Sequence, residues 1–213
     1  QMRLRLVATE VLEQFDAEGI ESRVLKGLAT GELDYPNYLL RHTGDVDLAV
    51  RPERLDDAVR VLRGHGYGDR YERFSPYLSY GCTLEAPNGV EVDLHARLSR
   101  RSPLGDRLFQ DLGEPLSMLP GYALPTAHRL VHASGHFMIS PPGTRRLSGL
   151  FDITRLHACH DVDLEKARRF AADLRIEALV GAGLWVEAML SERVDVIAQL
   201  DTWKAPDWLE RNT

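Results

Sequence analysis

Residues 44–50 read Gly-Asp-Val-Asp-Leu-Ala-Val, and Arg51-Pro52 follows. The alternation predicts a strand with Val46, Leu48 and Val50 on one face and Asp45, Asp47 and Ala49 on the other. Two aspartates in this phase leave the same face, about 7 Å apart along the strand. Their aliphatic neighbours go to the core, which leaves the carboxylates on an open face. Like charges held so close raise each other's pKa unless a cation lies between them. Hard divalent cations with oxygen ligands, magnesium above all, resolve that conflict. Pro52 then opens a helix whose buried stripe is Leu55, Ala58, Val59 and Leu62, ended by Gly64 or Gly66.

Downstream, strands are predicted at Tyr67–Phe74 and Leu78–Ala86, and Pro87-Asn88-Gly89 is hairpin-turn chemistry. The next strand, Val90–Leu98, has the clearest alternation in the chain. Val92 and Leu94 turn inward, so Asp93 and His95 share the polar face. If this strand neighbours residues 45–50 with polar faces matched, Asp45, Asp47 and Asp93 converge on one patch. A carboxylate triad of that kind holds two magnesium ions, with manganese able to replace them, around a nucleoside triphosphate.

Upstream, Met2–Ala17 is amphipathic, with Leu4, Val7, Ala8, Val11, Leu12 and Phe15 on one stripe and Gly19 at the helix end. Ile20–Leu25 is a short strand, and Lys26-Gly27 ends it and opens a helix from Leu28 to about Leu33. Backbone N–H groups and an ammonium placed there suit phosphate, and Arg41 and Gly44 lie on the loop that leads to the aspartates.

Residues 102–125 hold four prolines and three glycines, and the pattern beyond them is helical. Helices are predicted at Thr126–Ile139, Leu147–Cys159, Leu164–Leu174, Ile176–Leu190 and Val194–Trp203. The chain therefore divides into an α/β part at 1–100, a linker at 101–124 and a helical subdomain at 125–213. In the first of these helices His128, His132 and His136 fall on one face, which suits a metal site, a polar face toward a cleft or hydrogen-bonded structural histidines. His95, His132, His136 and Asp152 are candidate acceptor or cleft contacts. Tyr35, Tyr38 and Tyr77 are candidates for stacking on a base or for packing.

The composition narrows the classes. The chain has 213 residues, 44% hydrophobic and 27% charged, and a net charge of -6 argues against a general nucleic-acid binder. No apolar run reaches the roughly 18 residues needed to cross a bilayer. Cys82 and Cys159 fit neither a disulfide framework nor a zinc ribbon and read as buried thiols of a cytoplasmic protein.

The motifs in order are Val24-Leu-Lys-Gly-Leu-Ala29, Arg41-His-Thr-Gly-Asp-Val-Asp-Leu-Ala-Val50, Gly64-His-Gly-Tyr67 and Val92-Asp-Leu-His95. Together they resemble the minimal nucleotidyltransferases of the DNA polymerase β superfamily, closest to an uncharacterised bacterial group with a Leu-Lys-Gly opening. The resemblance spans roughly residues 20–160. It implies an α+β fold, with a mixed and mostly antiparallel sheet, flanking helices and a helical C-terminal subdomain closing the cleft. It also implies Asp45, Asp47 and Asp93 as metal ligands, with Asp93 as base toward an acceptor hydroxyl, and Gly27 as the glycine of the helix-opening motif. Where most of the superfamily has Gly-Ser or Gly-Gly, this chain has Gly27-Leu28.

The activity so implied is magnesium-dependent transfer of a nucleoside monophosphate from an NTP to a hydroxyl-bearing small molecule or protein, with release of pyrophosphate. A nucleotide- or partner-binding module without catalysis, and a magnesium-dependent phosphotransferase, are the competing readings.

Overall fold

The computed structural model describes residues 1–70, 81–98, 106–140 and 147–193, together with 195, 199, 200 and 203. The strand expected at Tyr67–Phe74 lies largely outside these residues, as do Tyr77 and most of the helix expected at Val194–Trp203. The chain forms two compact units, Gln1–Pro125 and Thr126–Thr213.

Among the described residues the first unit is built on a seven-stranded mixed, mostly antiparallel sheet. Its strands are β1 (Ser22–Val24), β2 (Asp45–Val50), β3 (Gly68–Asp69), β4 (Gly81–Glu85), β5 (Glu91–His95), β6 (Glu114–Pro115) and β7 (Tyr122–Ala123). They lie in the order β3-β4-β5-β2-β1-β7-β6. The pairings β2–β5 and β1–β7 are parallel, and the remaining neighbours are antiparallel. β2 is thus an interior strand, paired with β5 from Asp45 to Ala49 and with β1 from Leu48 to Val50. The segment 101–124, read in the sequence as a linker, supplies β6 and β7 to this sheet. Each is two residues long, too short to carry a period.

Helix α1 (Met2–Ala17) buries the stripe expected of it, Leu4, Val7, Ala8, Val11, Leu12 and Phe15. It ends as expected at Gly19, which takes φ +62. Val46, Leu48 and Val50 are fully buried in the same core. Burial of one such side chain stabilises the fold by about 1.5–3 kcal/mol. Helix α3 (Leu55–Gly64) follows a short 3-10 turn opened by Pro52. Asp56 and Asp57 occupy its first turn, where carboxylates oppose the positive helix end.

Helix α2 (Lys26–Leu33) carries the expected Lys-Gly opening and is fixed at both ends. At its start the Leu25 N–H donates to the carbonyl of Asp47 at 2.9 Å. Near its end the buried carboxylate of Glu32 pairs with Arg5 of α1 and accepts from the backbone N–H groups of Ser117 and Met118. Helix, sheet and the loop before β7 are therefore tied to one another, and the helix opening is held over β2.

The second unit is helical: α4 (Thr126–Ile139), α5 (Leu147–Cys159), α6 (Leu164–Asp173) and α7 (Glu177–Leu190). Trp203 is buried in it, beside Gly181. The thiols differ from expectation. Cys82 is half-buried, and Cys159 is exposed because it closes α5 beside the guanidinium of Arg155. Among the described residues no helix is long and apolar enough to cross a membrane.

Candidate active site

β2 and β5 run parallel with Asp47 directly opposite Asp93, Asp45 opposite Glu91 and Ala49 opposite His95. Residues opposite one another share a face, so Asp45, Asp47, Asp93 and His95 stand on one side of the sheet. The register matches the polar faces, the condition on which the sequence reading made the convergence depend. The face is not open as expected, because Asp47 is only 2% exposed and Ala49 is fully buried. β2 is interior, Leu25 at the start of α2 is bonded to the Asp47 carbonyl, and the side chains of Lys26 and His95 meet the Asp47 carboxylate.

A buried carboxylate needs partners, and Asp47 has two on the same oxygen. The Lys26 ammonium lies 2.5 Å from Oδ1, and His95 Nε2 lies 2.8 Å from it. An ionised carboxylate only accepts, so the His95 ring nitrogen carries its proton toward Asp47. Burial alone would push the Asp47 carboxyl up. The His95 hydrogen bond and the Lys26 charge outweigh it and hold the group well below the usual carboxylate range. The sequence placed Lys26 at phosphate and His95 beside Asp93 or an acceptor, whereas here both engage Asp47.

Asp45 behaves in the opposite way. Burial and the neighbouring charges of Asp47 and Asp93 push its carboxyl up, against the pull of Lys26 and a bond from Thr43. Asp93 Oδ1 is buried and has no hydrogen-bond partner among the described residues. Asp47, Asp93 and His95 each bring a ligand atom within 4.8 Å of the others. An orphaned anionic oxygen beside a second carboxylate and an imidazole is a donor set that fits a divalent cation. Asp45 lies outside that closest group but shares its face and its field.

The helix-opening glycine has a local reason that the sequence did not reveal. A Cβ on Gly27 would lie 2.3 Å from Thr43 Oγ1 and 2.4 Å from Thr43 Cβ. The buried Thr43 in turn donates from Oγ1 to Asp45 Oδ1 at 3.3 Å. Gly27 thus lets the loop before β2 close against α2, which sets Asp45. The departure at Leu28 is also explained, since its side chain is buried in the core. Gly44 is exposed and open around its Cα, and Arg41 donates to the carbonyl of His42.

His132, His136 and Asp152 belong to the second unit. His128 and His132 are buried and His136 is exposed. His128 stacks on Phe170 with ring centroids 3.6 Å apart, and His132 meets His136 edge-on at 6.1 Å. Among the described residues the only group arranged as a metal site is the one at Asp47, Asp93 and His95.

Residues 1–191 match the family model described as uncharacterised nucleotidyltransferase. The chain belongs to that family. No curated protein matches the nucleotidyltransferase. Among solved structures it resembles ANT(2'')-Ia in complex with adenylyl-2''-tobramycin, at 15% identity and TM-score 0.59, covering 82% of this chain and 98% of that one. An antigenic nucleotidyltransferase-like protein from Paracoccidioides brasiliensis is similar at 14% identity and TM-score 0.59, over 98% and 97% of the two chains. The lincosamide antibiotic adenylyltransferase LnuA, lincomycin-bound, is similar at 13% identity and TM-score 0.50, over 71% and 94%. Similarity at these identities concerns the fold, an α+β nucleotidyltransferase fold with helices toward the C-terminus.

Proposed function

We propose that this nucleotidyltransferase uses divalent cations, magnesium or manganese, held by Asp45, Asp47 and Asp93, to transfer a nucleoside monophosphate from an NTP to a hydroxyl of a small molecule. The observation that carries this reading is the buried Oδ1 of Asp93, without a partner among the described residues and directly across from Asp47. When bound, the cations supply positive charge to the triphosphate and to the attacking oxygen.

The chain's own groups do the remainder. The Asp93 carboxylate, beside its role toward the cation, accepts the proton of the acceptor hydroxyl. The acceptor oxygen bonds to the α-phosphorus as the bond to the β-phosphate bridging oxygen breaks, and pyrophosphate leaves. His95 Nε2 keeps its proton on Asp47 and so holds that carboxylate ionised and oriented. Lys26, Arg41 and the backbone around Gly27 and Gly44 are the phosphate-side groups.

A small hydroxyl-bearing acceptor is favoured over a protein side chain by the company the fold keeps: one similar structure holds adenylyl-2''-tobramycin and another holds lincomycin. The test incubates the protein with each of the four NTPs, magnesium and a panel of aminoglycosides, lincosamides and other polyols, and reads pyrophosphate and the product mass. Acceptor plus nucleoside monophosphate is expected. Equal pyrophosphate release by Asp47→Asn with Asp93→Asn would overturn the reading.

A further inference from the structure

Lys26 combines two features that local preference would not place together. It adopts φ 44, in the left-handed region that disfavours side chains with a Cβ, although Gly27 stands next to it. From that backbone its ammonium reaches 2.5 Å from Asp47 Oδ1, while its side chain keeps 22% exposure against 2% for Asp47. The carboxylate side of the pair is buried, and the lysine side chain is partly exposed.

Removing one partner of such a pair leaves an uncompensated buried charge unless another cation replaces it. The candidate metal group includes this same carboxylate. Ammonium and divalent cation repel each other and share one counter-charge, so they compete. Lysine suits displacement, because its compact charge sits on a flexible stem that solvates readily, and the partly exposed side chain needs no opening of the core.

We propose that Lys26 is a resident counterion of the metal site: it neutralises Asp47 while no divalent cation is bound, and an entering cation displaces it toward the phosphates of the nucleotide. This rests on the metal-site reading above and adds an order of events to it. Lys26 keeps the carboxylates assembled beforehand, and its release couples metal entry to phosphate binding.

The test measures manganese binding to nucleotide-free protein by titration calorimetry, with manganese chloride alone as the probe. Wild type is compared with Lys26→Met, Lys26→Arg and Lys26→Gly, the last of which removes the ammonium while tolerating the positive φ. Without metal, Lys26→Met should unfold at lower temperature than wild type, and manganese should restore it by a larger shift. Manganese should bind about tenfold tighter to Lys26→Met and Lys26→Gly than to wild type, and Lys26→Arg should stay near wild type. With manganese present, the two neutral variants should bind a non-hydrolysable NTP more weakly.

Unchanged or weaker manganese binding in both neutral variants would overturn the counterion and leave the proposed transfer reaction standing. Tighter binding in variants of a protein that transfers no nucleotide would support the counterion and overturn the reaction. Absence of manganese binding from wild type and variants alike would overturn both.

Discussion

Asp47 of β2 lies directly across the parallel ladder from Asp93 of β5. Asp47 is satisfied by Lys26 and His95, whereas the buried Oδ1 of Asp93 has no hydrogen-bond partner among the described residues. The two carboxylates therefore answer differently to mutation. Asp93→Asn should lower cation affinity and nucleotidyl transfer by about 100-fold or more with little loss of stability. Asp47→Ala should abolish both and also destabilise the fold by about 2–3 kcal/mol, below a fully buried pair because the Lys26 side chain is partly exposed. Denaturant titration beside a pyrophosphate assay separates the two effects.

His95 is expected to tune which metal is held. Imidazole nitrogen suits manganese and other transition ions better than magnesium. His95→Asn should weaken manganese binding about tenfold and magnesium binding much less, narrowing the difference between the two ions. Calorimetry with each ion checks this. An equal loss for both would mean that His95 acts only by orienting Asp47.

Much of this arrangement was legible in the sequence. Strand phase placed Asp45 with Asp47 and Asp93 with His95, each pair on one face of its own strand, once Val46, Leu48, Val92 and Leu94 go inward. That the two strands are neighbours with these faces matched is set by the ladder, which puts Asp47 across from Asp93. The stripe of α1 was equally plain. The pairing of Lys26 with Asp47 was not, since it joins residues 21 apart through a backbone turn at φ 44 that no propensity favours. Thr43 went unnoticed for the same reason: its importance comes from the helix packed against it. β6 and β7 were hidden because two-residue strands among prolines carry no pattern.

Gly27 should tolerate no side chain. Gly27→Ala would press a methyl group onto Thr43 and should cost at least about 1–3 kcal/mol, with loss of activity through Asp45. Adding Thr43→Ala should not rescue it, since the Cβ at position 43 remains within 2.4 Å. Full recovery of stability in the double variant would contradict the packing described.

His157 in α5 gives the helical unit an acid sensitivity. Burial, then the charge of Arg193, lowers its pKa from 6.5 against the opposing pull of Glu187 and Asp195. The fold thus prefers the neutral ring. That contribution is fully present above about pH 6.5 and is lost as pH falls, because the unfolded chain takes up the proton first. His157→Gln should flatten the difference in denaturation midpoint between pH 8 and pH 5 relative to wild type.

The central claim, that the triad holds the cations of a nucleotidyl transfer, is met most directly by a crystal structure with manganese and a non-hydrolysable NTP, read by anomalous scattering. The expected map has a manganese peak about 2.2 Å from carboxylate oxygens of both Asp47 and Asp93, beside the triphosphate, with Lys26 off Asp47. A map with nucleotide bound, no peak at these carboxylates and Lys26 still on Asp47 would contradict it.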